Sequence, residues 1–242
     1  MTKEKLNIET VNEKASIVYS EDFSAVKKMC CKDRSKTTIK FNKKVVKICS
    51  MAGRELWAPI ELVLPSELRT VEMDAFTGST GIKEISFNDK LLSIGADAFS
   101  GTSIKVLNVP LNVSEIGKEA FSECRDLVEV VSFGSVNAIY ESMFSNCINL
   151  KNVNIPNGVT YIDDFAFFNC QGLEEITIPK NVTYISKSAF EECDNLKNIY
   201  VSQKTFDLNP DFIKEYGEKV KIKTKVTTQV FDMNTKELEN VI

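Results

Sequence analysis

The chain has 242 residues, 43% of them hydrophobic and 26% charged, and a formal net charge of -4. That balance is ordinary for a globular protein and supplies no bulk positive charge to draw nucleic acid or an anionic membrane. No stretch approaches the roughly 18 consecutive apolar residues of a membrane helix, and histidine is absent, which removes His-based nucleophile arrangements and most zinc sites.

Residues 1–59 show no periodicity and are expected to form an irregular, basic N-terminal cap. Within them, the alternation from Thr37 to Cys49 predicts a strand hairpin. Between Lys27 and Lys47 stand nine basic residues and one acid, Asp33. This segment reads either as a contact patch for an acidic partner or as solvated cap surface. Cys30 and Cys31 are flanked by Lys27, Lys28 and Lys32, which would lower a thiol pKa. Without a base or resolving partner at useful spacing they read as spare or buried thiols.

Residues 60–201 repeat. Phe76, Phe99, Phe121, Phe144, Phe167 and Phe190 are spaced by 23, 22, 23, 23 and 23 residues. Each follows a slim residue (Ala75, Ala98, Ala120, Met143, Ala166, Ala189), and an aliphatic stands five places earlier (Val71, Ile94, Ile116, Ile139, Ile162, Ile185). Three places after each phenylalanine comes Ser79, Thr102, Cys124, Cys147, Cys170 or Cys193. Between them runs Leu-x-x-Ile-x-Ile-Pro, clearest at Leu150, Val153, Ile155, Pro156 and at Leu173, Ile176, Ile178, Pro179. A further aliphatic row holds Leu68, Leu91, Val113, Val136, Val159 and Val182.

One such unit has too little apolar surface to stand alone. Stacked at about 4.8 Å per strand, its neighbours bury a continuous core, with the phenylalanines in a column and the Ser/Thr/Cys row in a slot beside it. Pro65, Pro110, Pro156 and Pro179 stand where strands end and a missing N–H is harmless. The single 22-residue spacing marks a one-residue deletion near Thr102 and Ser103. In the fourth unit Ser132 takes a core place, Phe133 the proline place and Met143 the alanine place, which predicts a bulge or bend.

Leu196, Ile199 and Val201 begin a truncated seventh unit. Residues 202–242 are expected to form a C-terminal cap. Asn209-Pro210 opens a short helix, and Lys219 to Phe231 alternates like an edge strand whose lysines 219, 221, 223 and 225 discourage edge-to-edge pairing.

At the quoted columns the chain resembles the BspA-type (Treponema-type) leucine-rich repeats, over about residues 60 to 201. The resemblance implies an α/β repeat solenoid, a right-handed leucine-rich-repeat coil with one parallel sheet and six repeats of 22–23 residues between caps. It also implies a protein that binds other proteins or matrix and carries no active site.

The residues themselves agree with an absence of catalysis. Neither a Gly-x-Gly-x-x-Gly nor a Gly-x-x-x-x-Gly-Lys-Ser/Thr loop is present, and neither cofactor nor metal is implied. The cysteine row lacks a second ligand at metal spacing. Asp163-Asp164 and Glu174-Glu175 read as solvated faces.

The remaining candidate is the strand face. Leu62, Ile85, Leu107, Val130, Val153, Ile176 and Ile199 point inward, so their neighbours point outward. From those outward columns the expected partner-binding residues are Glu61, Glu84, Ser86, Asn108, Glu129, Asn152, Asn154, Glu175, Thr177, Asn198 and Tyr200. Solenoid curvature commonly makes such a face concave and available for binding; its alternative is a solvated sheet. The partner expected is another protein. A polyanion bound through the basic N-terminal segment is the second reading, and nucleic acid is disfavoured because no aromatics interleave those lysines. The start Met-Thr-Lys-Glu-Lys-Leu-Asn lacks a signal-peptide core and the seven cysteines cannot all pair. Both features point to the cytoplasm, with the cell surface or secretion as the alternative if a leader is removed.

Overall fold

The computed structural model describes residues 7–12, 15–31 and 37–223. From Thr37 to Val201 the chain winds as stacked turns, and each turn contributes to two parallel ladders. The first contains the expected strands: Thr37–Lys40, Ile60–Val63, Ile82–Ile85, then Val106–Val109, Glu129–Phe133, Asn152–Val153, then Glu175–Thr177, Asn198–Val201 and Val220–Ile222, in three-stranded segments. The second ladder was not expected beside it. Its two-residue strands run in two segments, Lys47–Ile48, Thr70–Val71, Ser93–Ile94 and Glu115–Ile116, then Ala138–Ile139, Tyr161–Ile162 and Tyr184–Ile185, and are too short for a period of two to show in sequence. The solenoid is therefore built of strands and turns, with helix confined to its C-terminal end.

The repeated apolar columns are the core. Phe76, Phe99, Phe121, Phe144, Phe167 and Phe190 are all buried, and successive rings stack face to face with centroids 5.3, 5.8, 5.9, 5.6 and 5.3 Å apart. The Ser/Thr/Cys row does more than fill a slot. Cys124, Cys147, Cys170 and Cys193 each donate from Sγ to the carbonyl of the phenylalanine one turn earlier, at 3.3, 3.2, 3.2 and 3.0 Å. Ser79 Oγ does the same to Gly53 at 2.6 Å. The bond gives each buried thiol or hydroxyl an acceptor, and it adds to the backbone N–H that the Phe99, Phe144 and Phe167 carbonyls already accept from Thr102, Cys147 and Cys170.

The turn between each second-ladder strand and the next unit is made tight by two left-handed residues. One precedes the Ala-Phe pair (Asp74, Asp97, Glu119, Ser142, Phe165, φ 55–59°) and one lies two places after the phenylalanine (Gly78, Gly101, Glu123, Asn146, Asn169, Glu192, φ 54–69°). This arm also bonds to its neighbour: Phe76, Phe99, Phe121, Phe144 and Phe167 N–H groups donate to the next unit's Ala98, Ala120, Met143, Ala166 and Ala189 carbonyls.

Two expectations for the N-terminal region are corrected. Thr37–Lys40 and Lys47–Ile48 do not form a hairpin. They pair in parallel with Ile60–Val63 and Thr70–Val71 on different ladders. Residues 37–59 are thus an extra, degenerate repeat in which Val45, Ile48 and Ala52 stand 23 residues before Leu68, Val71 and Ala75. Gly53 occupies the phenylalanine place, and a Cβ there would lie 2.8 Å from the Phe76 ring. The missing side chain hides the repeat from sequence and seats Phe76 under Met29. The antiparallel strands β1 (Asn7–Asn12), β2 (Ala15–Tyr19) and β3 (Ala25–Cys31) then close this end, with β3 parallel to Lys47–Ile48.

At the other end α1 (Gln203–Leu208) and α2 (Pro210–Tyr216) replace a further repeat. Pro210 stands at the first helical turn, and Phe212 and Tyr216 cover Phe190 at ring distances of 6.1 and 6.2 Å. Asn209 Oδ1 accepts the Ile185 N–H at 2.7 Å, so a helix-end side chain completes the second ladder's edge. Val220–Ile222 pairs in parallel with Asn198–Val201; the expected strand beyond Lys223 lies outside the described residues.

Candidate recognition surface

All eleven expected partner-binding residues project from the first ladder in the predicted sense. Glu61, Glu84, Ser86, Asn108, Glu129, Asn152, Asn154, Glu175 and Thr177 are exposed, and Asn198 and Tyr200 are half-buried. Register places Glu129 opposite Asn152, Glu175 opposite Asn198 and Thr177 opposite Tyr200. Two shallow depressions mark the face. One of about 710 Å³ includes Glu61, Val63, Glu84 and Ser86. The other, of about 370 Å³, includes Glu129, Val131, Asn152, Asn154, Glu175 and Thr177.

The fourth unit bulges, as its sequence implied. Pairing slips between Leu107 and Asn108, so that Leu107 faces Val130 but Asn108 faces Ser132. Ser132 Oγ satisfies Asn108 Oδ1 at 2.8 Å and the Val109 carbonyl at 2.6 Å. Phe133 turns inward, fully buried, with its ring set edge-on to Phe144 at 5.5 Å. Val131 is left outward at 41% exposure, joining Val63 and Val106 at 45% and 49%. The face is therefore an interrupted apolar strip between acidic side chains.

Tyr200, the one aromatic among the expected residues, already has company. Lys223 Nζ lies 5.6 Å from its ring centroid and also donates to Thr177 Oγ1 at 3.2 Å. Glu61 accepts from the Thr38 hydroxyl at 3.0 Å, a neighbour that became visible only once residues 37–40 proved to be a repeat strand.

The described basic residues of the N-terminal segment do not form one patch. Lys27 and Lys28 lie on β3, Lys40 on the first ladder, Lys43 and Lys44 in the turn between, and Lys47 bridges Glu72 at 3.1 Å. Lys32, Asp33, Arg34 and Lys36 lie outside the described residues. Among the described residues no three His, Cys, Asp or Glu side chains come together to hold a metal ion, and no helix is long and apolar enough to cross a membrane.

A coil of short stacked turns, cored by one aromatic column and open along a polar strand face, defines a repeat protein of the leucine-rich class. The chain belongs to the BspA type leucine rich repeat family, whose model matches residues 54–162 and 126–235 in six copies. Membership suggests protein recognition or adhesion. Three solved structures share the fold. A leucine rich cell surface protein of Faecalibacterium prausnitzii A2-165 aligns over 83% of this chain and 56% of its own, at 24% identity and a TM-score of 0.60. A leucine-rich repeat protein of Bacteroides ovatus covers 92% and 66%, at 20% identity and 0.56. The T. pallidum leucine rich repeat protein covers 68% and 90%, at 20% and 0.52. The chain thus spans less than two thirds of the first two. No curated protein matches significantly.

Proposed function

We propose that this protein is a non-catalytic recognition module that binds another protein on its first-ladder face, through Glu61, Glu84, Ser86, Asn108, Glu129, Asn152, Asn154, Glu175, Thr177, Asn198 and Tyr200. The observation that carries the reading is the exposed strip of Val63, Val106 and Val131 among Glu61, Glu84 and Glu129. An apolar centre with a charged surround is the composition of a protein contact. The rigid ladder holds these groups in fixed register before a partner arrives, which lowers the ordering cost of association. Nothing favours the polyanion reading, since the described lysines divide between two faces. The cell-surface description of the F. prausnitzii protein supports the surface alternative over the cytoplasm.

A photo-crosslinking side chain at Asn108 or Asn152, used in native extract, tests the site. The expected result is one protein crosslinked from both positions and not from Lys43. Crosslinking from Lys43 alone would transfer the site to the N-terminal cap.

A further inference from the structure

The two ladders do not end alike. Beyond Tyr184–Ile185 the second is finished by the Asn209 side chain, and Phe212 and Tyr216 of α2 cover the last ring of the aromatic column. The first runs on to Val220–Ile222, which pairs in parallel with Asn198–Val201 and is the last strand of its segment. Ile199 lies opposite Val220, Tyr200 opposite Lys221 and Val201 opposite Ile222. The Ile199 N–H donates to the Lys219 carbonyl, and the Lys223 N–H donates to the Val201 carbonyl, each at 2.8 Å. Main-chain groups alternate in direction along a strand, so Lys221 is turned the same way. Ile222, between the two lysines, presents its N–H and C=O on the outer edge. Neither group has a partner among the described residues.

The Ile222 side chain is uncovered as well. Register places it beside Val201 in an inward column whose two preceding members, Ile178 and Val201, are 3% and 1% exposed, yet Ile222 is 38% exposed. In those rows a following strand covers the position, and after Ile222 no described strand follows. Lys221 and Lys223 stand outward from the same strand and are exposed. Lys221 Nζ donates to the Glu218 carbonyl at 3.3 Å and Lys223 Nζ to Thr177 Oγ1 at 3.2 Å. Among the described residues neither lysine meets a carboxylate.

We infer that the outer edge of Val220–Ile222 is a docking site for an extended segment of a protein partner that carries an aliphatic residue between two acidic ones. Such a segment adds one more strand to the first ladder. Its main chain meets the open Ile222 groups, its aliphatic side chain covers Ile222, and its acids fall in the outward columns opposite Lys221 and Lys223. The same lysines select against a second copy stacked end to end. The strand that opens the first ladder, Thr37–Lys40, would bring Lys40 to this edge, and like charges across a strand pair repel. The site is an edge rather than the first-ladder face, so it stands or falls separately from the recognition surface proposed above.

The test is a titration of the whole chain, labelled with nitrogen-15, with a blocked Ser-Glu-Val-Glu-Val-Glu-Ser peptide, followed by amide signals and hydrogen exchange. The expected result is saturable movement of the Val220 to Lys223 signals and at least tenfold slower exchange of the Ile222 amide. Peptides with lysine in place of glutamate, or proline in place of valine, should bind at least fivefold more weakly. Ile222→Ser should weaken the acidic peptide at least fivefold, and Lys43→Glu, at the far end of the solenoid, should leave its affinity unchanged. Lys221→Glu combined with Lys223→Glu should reverse the preference toward the lysine peptide, a gain that a merely unfolded variant would not show. Three results would overturn the inference: no reversal in that variant, shifts confined to other strands, or an Ile222 amide already protected without peptide. Protection that grows with protein concentration alone would overturn it in favour of a second copy.

Discussion

Phe144 lies face to face with Phe121 and Phe167 and edge-on to Phe133, with no solvent exposure. Truncating it removes contacts to three rings in a column with no room to collapse. Phe144→Ala or Phe167→Ala should therefore cost about 3–5 kcal/mol in denaturant unfolding, and a loss under about 1 kcal/mol would show that the column is not the main support. The cysteine row beside it makes a second prediction. Burial pushes the Cys124 thiol up to about 11 from an ordinary 9.0, and raises Cys147 well above it. A folded-state pKa above the unfolded one means that stability is fully present below about pH 9 and declines as pH rises toward 11. For Cys124 alone the loss is on the order of 2 kcal/mol. Unfolding at pH 8 and pH 10.5 should show it, and Cys124→Ser, which keeps a donor to the Phe99 carbonyl, should flatten the difference. Cys124, Cys147, Cys170 and Cys193 are free thiols and buried, so alkylation of the native protein should spare them. Masking of those four in denatured, unreduced protein would contradict the thiol assignment and point to an oxidising compartment.

At the scale of the element, each repeat is a compromise between turn geometry and residue choice. Glu192 holds φ 59° at a position where earlier units place Gly78, Gly101, Glu123, Asn146 and Asn169. A left-handed non-glycine residue costs about 1–2 kcal/mol, and the Glu192 side chain has no described bond that would be lost. Glu192→Gly should stabilise the protein by roughly 1 kcal/mol, measured by denaturant midpoint, and destabilisation would mean that the turn is not strained. The elements also show what sequence can and cannot reveal. The six phenylalanine units were legible because their core positions cannot vary without opening a cavity. The extra unit at residues 37–59 was not, because Gly53 replaces the ring that marks the period and Met29, from outside the repeat, fills the space. The second ladder was invisible because two residues cannot display alternation. The outward columns were legible from strand alternation, yet the bulge that exposes Val131 and the Lys223 contact on Tyr200 both depend on neighbours a turn or more away.

For the molecule as a whole, the two ladders divide the surface into faces of different chemistry joined by one rigid core. The ends are closed by unlike devices, an antiparallel sheet before the first turn and two short helices after the last, so the stack has neither an open aromatic column nor an unprotected start to its second ladder among the described residues. Such a body changes shape little on binding, and its contribution to association lies in fixed charge and apolar placement. Glu61 and Glu84 sit on neighbouring rows of the first ladder and Glu129 two rows further on, beyond Val106, beside exposed valines, with Lys83 and Lys105 on the adjoining columns as partial counter-charges. If this face is the recognition surface, those acids steer a basic partner, and steering is read in the association rate and its salt dependence. The decisive measurement is association kinetics between the crosslinked partner and the Glu61→Lys, Glu84→Lys, Glu129→Lys triple variant, its fold checked by circular dichroism. The account predicts association slowed at least tenfold at low salt, with the salt dependence abolished; unchanged kinetics in that variant and in Tyr200→Ala would contradict it.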